Sequence, residues 1–576
     1  MSDTAKLVSS FIFTLGGVPV SPDLYTAISE VRVENSLHMP DMATLVVNDP
    51  ALKWIDHAQF FPGVELKIQA AFGNTTPTIF SGEIVEIEPE FTDGTQLLTV
   101  RAFDRLHRLT HGHTVQTFQN ASDGDIVRKI AASVGLQAQV GPTPEVHEYV
   151  IQSGISHLEF VQQRAARLGF LVYVEDRTLH VVPPKTESAV ASLKIFEDLF
   201  EFRPRLTTVG QVKEVQVRGW DVKQKREILG KATTSTSMPK IQLGKDGGQV
   251  IQQAFNLKPS YLVHDHVVRS QGSADKLAKA TLDRLSATFV EAEGVANGNS
   301  KIKAGVTITI NQVGSRFSGS YFVTSSTHSF TDEEGYRTAF TVSGLHPTTL
   351  INLLAPPETP PSGSHLAVAL VTDNNDPENL GRVKVKFPWL SDEHASNWAR
   401  VVSPGGGATR GFVVIPEVND EVLVGFDMGD INHPFVIGGL WNGKDKPPYQ
   451  TSALIKSGKV EKWSIYSRTG HEISFDESDK GGITIKDKNG NQLVITIDQD
   501  KLTLTSKGDM TFDSQGNMTL KAGKAFTVEA GGKGEVKTMG LSLDGKTSPT
   551  EVKGMGVKVE GGGGTVDVKG SMINLN

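Results

Sequence analysis

An apolar pair returns every eight residues near the end of this chain: Leu502/Leu504, Met510/Phe512, Met518/Leu520 and Phe526/Val528. Gly508 and Gly516 fall in one phase of that repeat and mark turns. Ile483/Ile485 and Leu493/Ile495/Ile497 lead into it, and Leu541/Leu543, Val557/Val559, Val566/Val568 and Ile573/Leu575 follow with looser spacing. Residues two apart on a strand share a face, so each octad is a short strand plus a turn with one apolar face. A single chain cannot close such strands into its own core, and it leaves their backbone edges unpaired. Three identical chains wound together solve both problems, because each edge pairs with a neighbour and the apolar faces meet on one axis. With strands ~4.8 Å apart, each octad advances about 5 Å and ten octads make a prism near ~50 Å long. The eight side chains of the four regular octads are then the core of a three-chain needle. The alternative is a single-chain antiparallel meander.

The rest of the 576 residues divides by composition. Prolines at 356, 357, 360 and 361 make an extended linker at 356–365. A second boundary lies near Pro447-Pro448. The expected organisation is a block at 1–355, the linker, a block at 366–445, a neck at 446–480 and the repeat at 481–576. In the first block, alternating runs such as Val64-Leu66-Ile68 and 97–100 read as strands. Three amphipathic runs read as helices, opened by Ser122 or Asp123, by Ser156 and by Ser273, with Gly135 and Gly169 stopping the first two. The second block shows five apolar runs, at 383–387, 399–402, 411–415, 421–426 and 435–437, which fit a small closed barrel. Gly at 57 residues and aromatics at 7% favour turns and strands over helix bundles. The fold class expected is mainly β with a few helices.

Composition also excludes functions. A net charge of −8 argues against nucleic acid as a partner, since phosphate neutralisation needs a surplus of Lys and Arg. The absence of Cys removes disulfides, thiol nucleophiles and thiolate-bound metals. The start through Val20 reads as a hairpin turning at Gly16-Gly17 rather than a secretory signal. No run of ~18 apolar residues is present to span a membrane as a helix.

Searches for chemistry return weak matches. Residues 540–547 fit G-x-x-x-x-G-K-T, but a phosphate loop needs a helix after it, and here Pro549 and alternating valines follow. His111 and His113 lack an identifiable third ligand. Asp373-Asn-Asn-Asp376 begins like a calcium loop but lacks its glycine and terminal glutamate, so it reads as a turn. No catalytic, cofactor or metal residue is assigned, and the expectation is a protein that is not an enzyme.

The second block carries a specific resemblance. Asp376-Pro377, Leu380-Gly381-Arg382, Phe387-Pro388-Trp389, Trp398, Arg400-Val401, Gly405 to Gly407, Pro416, Val418, Asp420-Glu421-Val422, Gly429-Asp430, His433-Pro434 and Gly438 to Asn442 stand in the order seen in the OB-fold of VgrG proteins and phage baseplate spikes. Phe160, Ala165, Leu168-Gly169-Phe170, then 305–310, 319–323 and His328, resemble the tail-hub (late control D) family. The third block resembles the triple-stranded β-helix needle of the same spikes, down to its ending Ser571-Met572-Ile573-Asn574-Leu575-Asn576.

The resemblance implies a hub of duplicated β-barrel-like domains, a five-stranded OB-fold barrel and an intertwined needle. It implies a homotrimer at the puncturing end of a contractile injection system, with the final six residues docking a PAAR-type tip protein. Inner-tube and baseplate proteins, effector cargo and, transiently, a target membrane are the other implied partners. Such a protein is made in the bacterial cytoplasm without a signal peptide, then carried out in the particle or delivered to the target cell. The stretch from Phe11 to Asp49 looks closer to extracellular, phage-tail-like systems than to type VI secretion. A phage-tail spike and a trimeric surface adhesin with a β-stalk are the alternatives. The interval from Trp441 to Ile483 is too short for an inserted lysozyme domain.

Overall fold

The computed structural model describes residues 11–37, 39–70, 75–184, 188–236, 240–263, 266–331, 334–344, 366–388, 390, 395–496 and 499–574. The proline linker at 356–365 lies outside the described residues, as do Trp389, Ile497, Leu575 and Asn576. The chain forms two compact units, Met1–Pro447 and Pro448–Asn576.

Alternation builds the first unit. In Glu65–Ala70 every second residue (Leu66, Ile68, Ala70) is buried, and Met42–Asn48 buries Ala43, Leu45 and Val47 in the same way. The hairpin at Gly16-Gly17 forms, with Leu15 opposite Val18 and both glycines at positive φ. Strands from 11–103 and from 199–342 share one eleven-stranded sheet. Its two halves meet where Ile28–Ser36 pairs antiparallel with Ser325–Thr331, placing Val33 opposite His328. One core, around Leu45, Leu66 and Val100, belongs to the first half; another, around Ile308, Tyr321 and Phe340, belongs to the second.

Each half carries an insertion with helices. The first, after Phe103, packs Asp123–Ser133 and His157–Leu168 against short sheets around Ile126, Val161 and Leu179. Ser122, not Asp123, caps the earlier helix: its hydroxyl accepts from the Asp125 N–H in a capping box. Asp123 instead accepts from Arg164 Nε at 2.6 Å. Burial works against this carboxylate's charge, but His147 and Arg164 outweigh it and hold the pKa near 2. Ser156 caps His157–Leu168, and Gly169 closes it at φ 69°, where an added Cβ would sit 3.1 Å from that of Ala280. The second insertion lays Gln271–Ala287 on a three-stranded sheet. That helix starts earlier than expected, because Ser270 accepts the Ser273 N–H while the Ser273 hydroxyl is taken by Glu145.

Residues 367–439 form a five-stranded sheet in the order Lys384–Lys386, Ala367–Asp373, Glu421–Asp427, Asp430–Gly439, Arg400–Val401. Its inward residues, among them Val371, Val385, Val422, Val424 and Val436, make one apolar core. The count of five agrees with the expectation; the membership differs. Ala367–Asp373 supplies the fifth strand, and the expected strand at 411–415 does not form and joins no sheet. An apolar β-branched run satisfies strand propensity, yet a ladder position must also be vacant, and here Ala367–Asp373 lies between Lys384–Lys386 and Glu421–Asp427.

The second unit opens with a short hairpin, Ile455–Lys456 with Lys459–Val460. Five strands of five residues then run antiparallel in sequence order: Lys462–Tyr466, Glu472–Asp476, Gly482–Lys486, Gln492–Thr496 and Lys501–Thr505. Residues 506–574 contain no assigned helix or strand.

Candidate assembly surfaces

The OB motif is built around one carboxylate. Asp376 accepts backbone N–H groups from Glu378 (3.0 Å), Leu380 (2.8 Å) and Arg382 (3.2 Å), and the Arg382 guanidinium adds a two-pronged contact at 3.0 and 2.7 Å. Those Arg382 bonds, with the backbone donors, hold the Asp376 carboxyl well below the usual range. Asn379 and Gly381 take positive φ to close the turn. This is a folded turn rather than a cation loop. Arg382 and Lys384 lie 5.8 and 5.0 Å from the Trp398 ring, which ties the motif to its downstream tryptophan.

The second motif cluster faces the two helix-bearing insertions. The turn between Asp427 and Asp430 places Met428 and Gly429 at positive φ. Asp430 accepts from Asn432 N (3.0 Å) and Nδ2 (2.7 Å) and pairs with His433 Nδ1 at 3.1 Å. Burial opposes the charge of Asp430, but His433 and these donors overcome it and lower its pKa. Oriented this way, Asn432 Oδ1 accepts the Ile151 N–H at 2.8 Å. Arg269 meets Asp427 at 2.9 Å and Lys223 meets Glu378 at 3.2 Å. The motif residues therefore fasten this five-stranded sheet to both insertions of the eleven-stranded sheet. Sequence reasoning recognised them only as a pattern.

In the second unit the register aligns two apolar rows on one face of the meander. Trp463, Phe475, Ile483, Ile495 and Leu502 are successive cross-strand partners; so are Ile465, Ile473, Ile485, Leu493 and Leu504. Trp463 stacks on Phe475 with ring centroids 4.2 Å apart. Most of these ten side chains are exposed in the single chain. Leu502 and Leu504, from the first octad, thus sit in the last strand of an in-chain sheet. Met510, Phe512, Met518, Leu520, Phe526 and Val528 lie beyond it, and Phe512 and Leu520 keep 63% and 66% of their surface open. Ser571 to Asn574 are also exposed. Contiguous apolar surface of this extent marks a contact yet to be made.

Residues 6–332, more than half of the chain, match the family described as Alg8 N-terminal domain, and residues 367–441 match the type VI secretion system/phage-baseplate injector OB domain. The chain belongs to the Alg8 N-terminal domain family and carries the type VI secretion system/phage-baseplate injector OB domain. The type VI secretion system spike protein VgrG5 of Pseudomonas aeruginosa is 37% identical over 113 residues, covering 17% of this chain and 14% of that protein. VgrG3 of Vibrio cholerae is 34% identical over 105 residues, covering 17% of this chain and 10% of that one. The chain thus spans a small part of these curated relatives. The Francisella PdpA–VgrG complex in its lidded form shares the fold, with TM-score 0.52 at 10% identity over 86% of this chain and 80% of that one.

The remaining motifs resolve locally. Lys546 N–H is accepted by Asp544 Oδ1 at 3.1 Å, and no helix follows 540–547 among the described residues. His111 approaches His107 (ring nitrogens 3.2 Å apart) rather than His113. Among the described residues no group of three His, Asp or Glu is placed to hold a metal ion. No described helix is long and apolar enough to cross a membrane. The rows at Trp463/Ile465 and Ile473/Phe475 extend upstream of the first pair read from sequence. Their signal is a spacing of ten between successive pairs, which drops to nine and then eight at Leu502.

Proposed function

We propose that this chain is the homotrimeric central spike of a contractile injection system. In this reading 1–355 is a tail-hub ring that meets the inner tube, 366–445 an OB spike domain, 446–480 a neck and 481–576 the needle. The observation that carries it is the ten-residue apolar face of the meander, continued by the exposed octads, for which the described chain supplies no cover. Three copies around one axis cover those faces and pair the open edges. A trimeric β-prism suits a puncturing needle, because axial load is shared by many backbone hydrogen bonds broken together. Residues 571–576 of the three copies then meet a PAAR-type tip protein. The spike works by force and position and is not an enzyme; its path is from the cytoplasm into the particle and outward with it. The features of 11–49 favour an extracellular, phage-tail-like system.

Light scattering on the full chain and on a version ending at Pro447 tests this. Three copies of the 62.2 kDa chain give about 187 kDa. The expected result is that mass for the full chain and a looser, concentration-dependent association for the shortened one. A full chain at 62.2 kDa at working concentration overturns the proposal.

A further inference from the structure

Residues 412–415 read Phe-Val-Val-Ile, the strongest strand-forming run in the OB block, and they are left out of its sheet. The five strands between Ala367 and Gly439 complete the sheet without them. Val413 and Val414 are 87% and 74% exposed. Neighbours on an extended chain point to opposite sides, so both faces of this segment are open, not one. Among the described residues Val413, Val414 and Ile415 have no backbone partner.

The segment is nevertheless held at both ends. The Ser403 hydroxyl donates to Phe412 O at 2.5 Å, and Phe412 N–H reaches Pro404 O at 3.3 Å. Downstream, Asn374 Nδ2 donates to Pro416 O at 3.1 Å. Gly411, at φ 138°, sits where a Cβ would come within 3.0 Å of Gly406 Cα. The segment is therefore held at both ends, with an unserved middle.

We infer that 412–415 is a strand completed by a second copy of this chain, an OB-level contact distinct from the needle. The inference rests on the trimer reading above. The occupant follows from the chain itself: its meander face and octads already require further copies, and threefold symmetry places three 412–415 segments at one level around the same axis. Each strand then offers one face to each neighbour, which accounts for exposure on both sides. The run carries no charge, so burying it against neighbouring copies leaves no charge unpaired.

The chain has no cysteine, so single cysteines report cleanly. Val413→Cys and Val414→Cys would be made in the full chain, with Lys444→Cys, at an exposed site, as the reference. Maleimide labelling rates are measured on the species whose mass light scattering fixes, and again in urea. The expected result is a trimer in which both valine-site thiols label at least about tenfold more slowly than the reference, with the difference abolished in urea. A trimer in which they label as fast as Lys444→Cys overturns this inference and leaves the trimer reading standing. A monomer overturns both. Slow labelling in a monomer shows cover from within the chain and also overturns the inference.

Discussion

The two stretches 462–505 and 506–574 use the same apolar pair and do opposite things with it. Up to Ile495 the pairs stand ten apart, with nine to Leu502, and each strand finds its partner in its own chain. After it the pairs stand eight apart as far as Phe526/Val528 and more loosely beyond, and the described residues 506–574 form no strand. The two extra residues lie in the turns. Asp487 accepts N–H groups from Asn489 and Asn491 and its carbonyl accepts from Gly490 at φ 95°, a closed five-residue reversal. Ser467 N–H closes the earlier turn onto His471 O. The octads lack room for such a turn around a five-residue strand. Shortening the link thus separates a sheet whose backbone pairs within the chain, leaving only its apolar face open, from a stretch with no strand among its described residues; in the proposed trimer the first would use other copies for its face and the second for its backbone too.

The comparison is broken most severely by charge in the octads. Phe512→Asp with Phe526→Asp removes six aromatic side chains from a three-chain core, and at about 1.5–3 kcal/mol each the loss exceeds roughly 9 kcal/mol per trimer. The expected outcome on light scattering is collapse of the 187 kDa species to 62.2 kDa, with the hub's circular dichroism unchanged. In a chain that works as a monomer the same double change is nearly silent, because both side chains already face water.

Substitutions where the partner is in the chain behave differently: their effect is independent of protein concentration. Arg382→Ala leaves the Asp376 carboxylate, whose side chain is 4% exposed, with backbone donors only. Breaking a buried pair on one side costs about 3 kcal/mol. A urea midpoint for the first unit that falls equally at low and high protein concentration is the expected reading; a concentration-dependent shift would move this motif to the other side of the comparison.

His328 gives a pH-dependent version of the same test. It is buried in the second half of the eleven-stranded sheet, with Nδ1 2.8 Å from the Tyr336 hydroxyl, and burial lowers its pKa to about 4. The unfolded chain, with an ordinary histidine near ~6.5, binds the proton first as pH falls, so His328 subtracts up to about 3 kcal/mol of stability between pH ~6.5 and 4. Asp41, raised to about 6 by burial, works in the opposite sense over much of that window. The informative quantity is therefore the difference between the parent and His328→Gln. The variant is expected to gain on the parent by about 3 kcal/mol on going from pH 7 to 4; a flat difference removes His328 as the cause.

How far these regions could be read in advance follows from which constraints are local. The octads were visible because a strict period needs no partner to be seen. The ten-spaced pairs at Trp463 and Ile473 carry an equal signal but fall outside an eight-residue template. Ser122 and Asp123 are both good caps, and the choice was made by Asp125 at the third position, which is local, and by Arg164, which is not. Ser273 was displaced as a cap by Glu145, 128 residues away. Residues 411–415 have the composition of a strand; what they lack is a free ladder, a property of the assembled sheet. The OB motif was recognisable as a sequence, whereas its contacts with Ile151, Arg269 and Lys223 bridge distances that no local pattern encodes.

The smallest effect tests whether the first unit belongs wholly to the in-chain side. Arg269 reaches from the second insertion to Asp427, and among the described residues its Nε is buried without a partner. Both side chains are about one-third exposed, so the pair contributes no more than about 1 kcal/mol. Arg269→Ala should leave hub and OB folded and lower the first unit's urea midpoint slightly. Its distinguishing effect is on the joint, because Ile151–Asn432 and Lys223–Glu378 remain to hold it. Added salt, which screens exposed pairs, should reproduce the change in the parent and have less effect on the variant. If the variant instead loses trimer mass, the hub–OB joint depends on other copies, and the boundary between self-sufficient and shared structure lies inside the first unit rather than at Thr505.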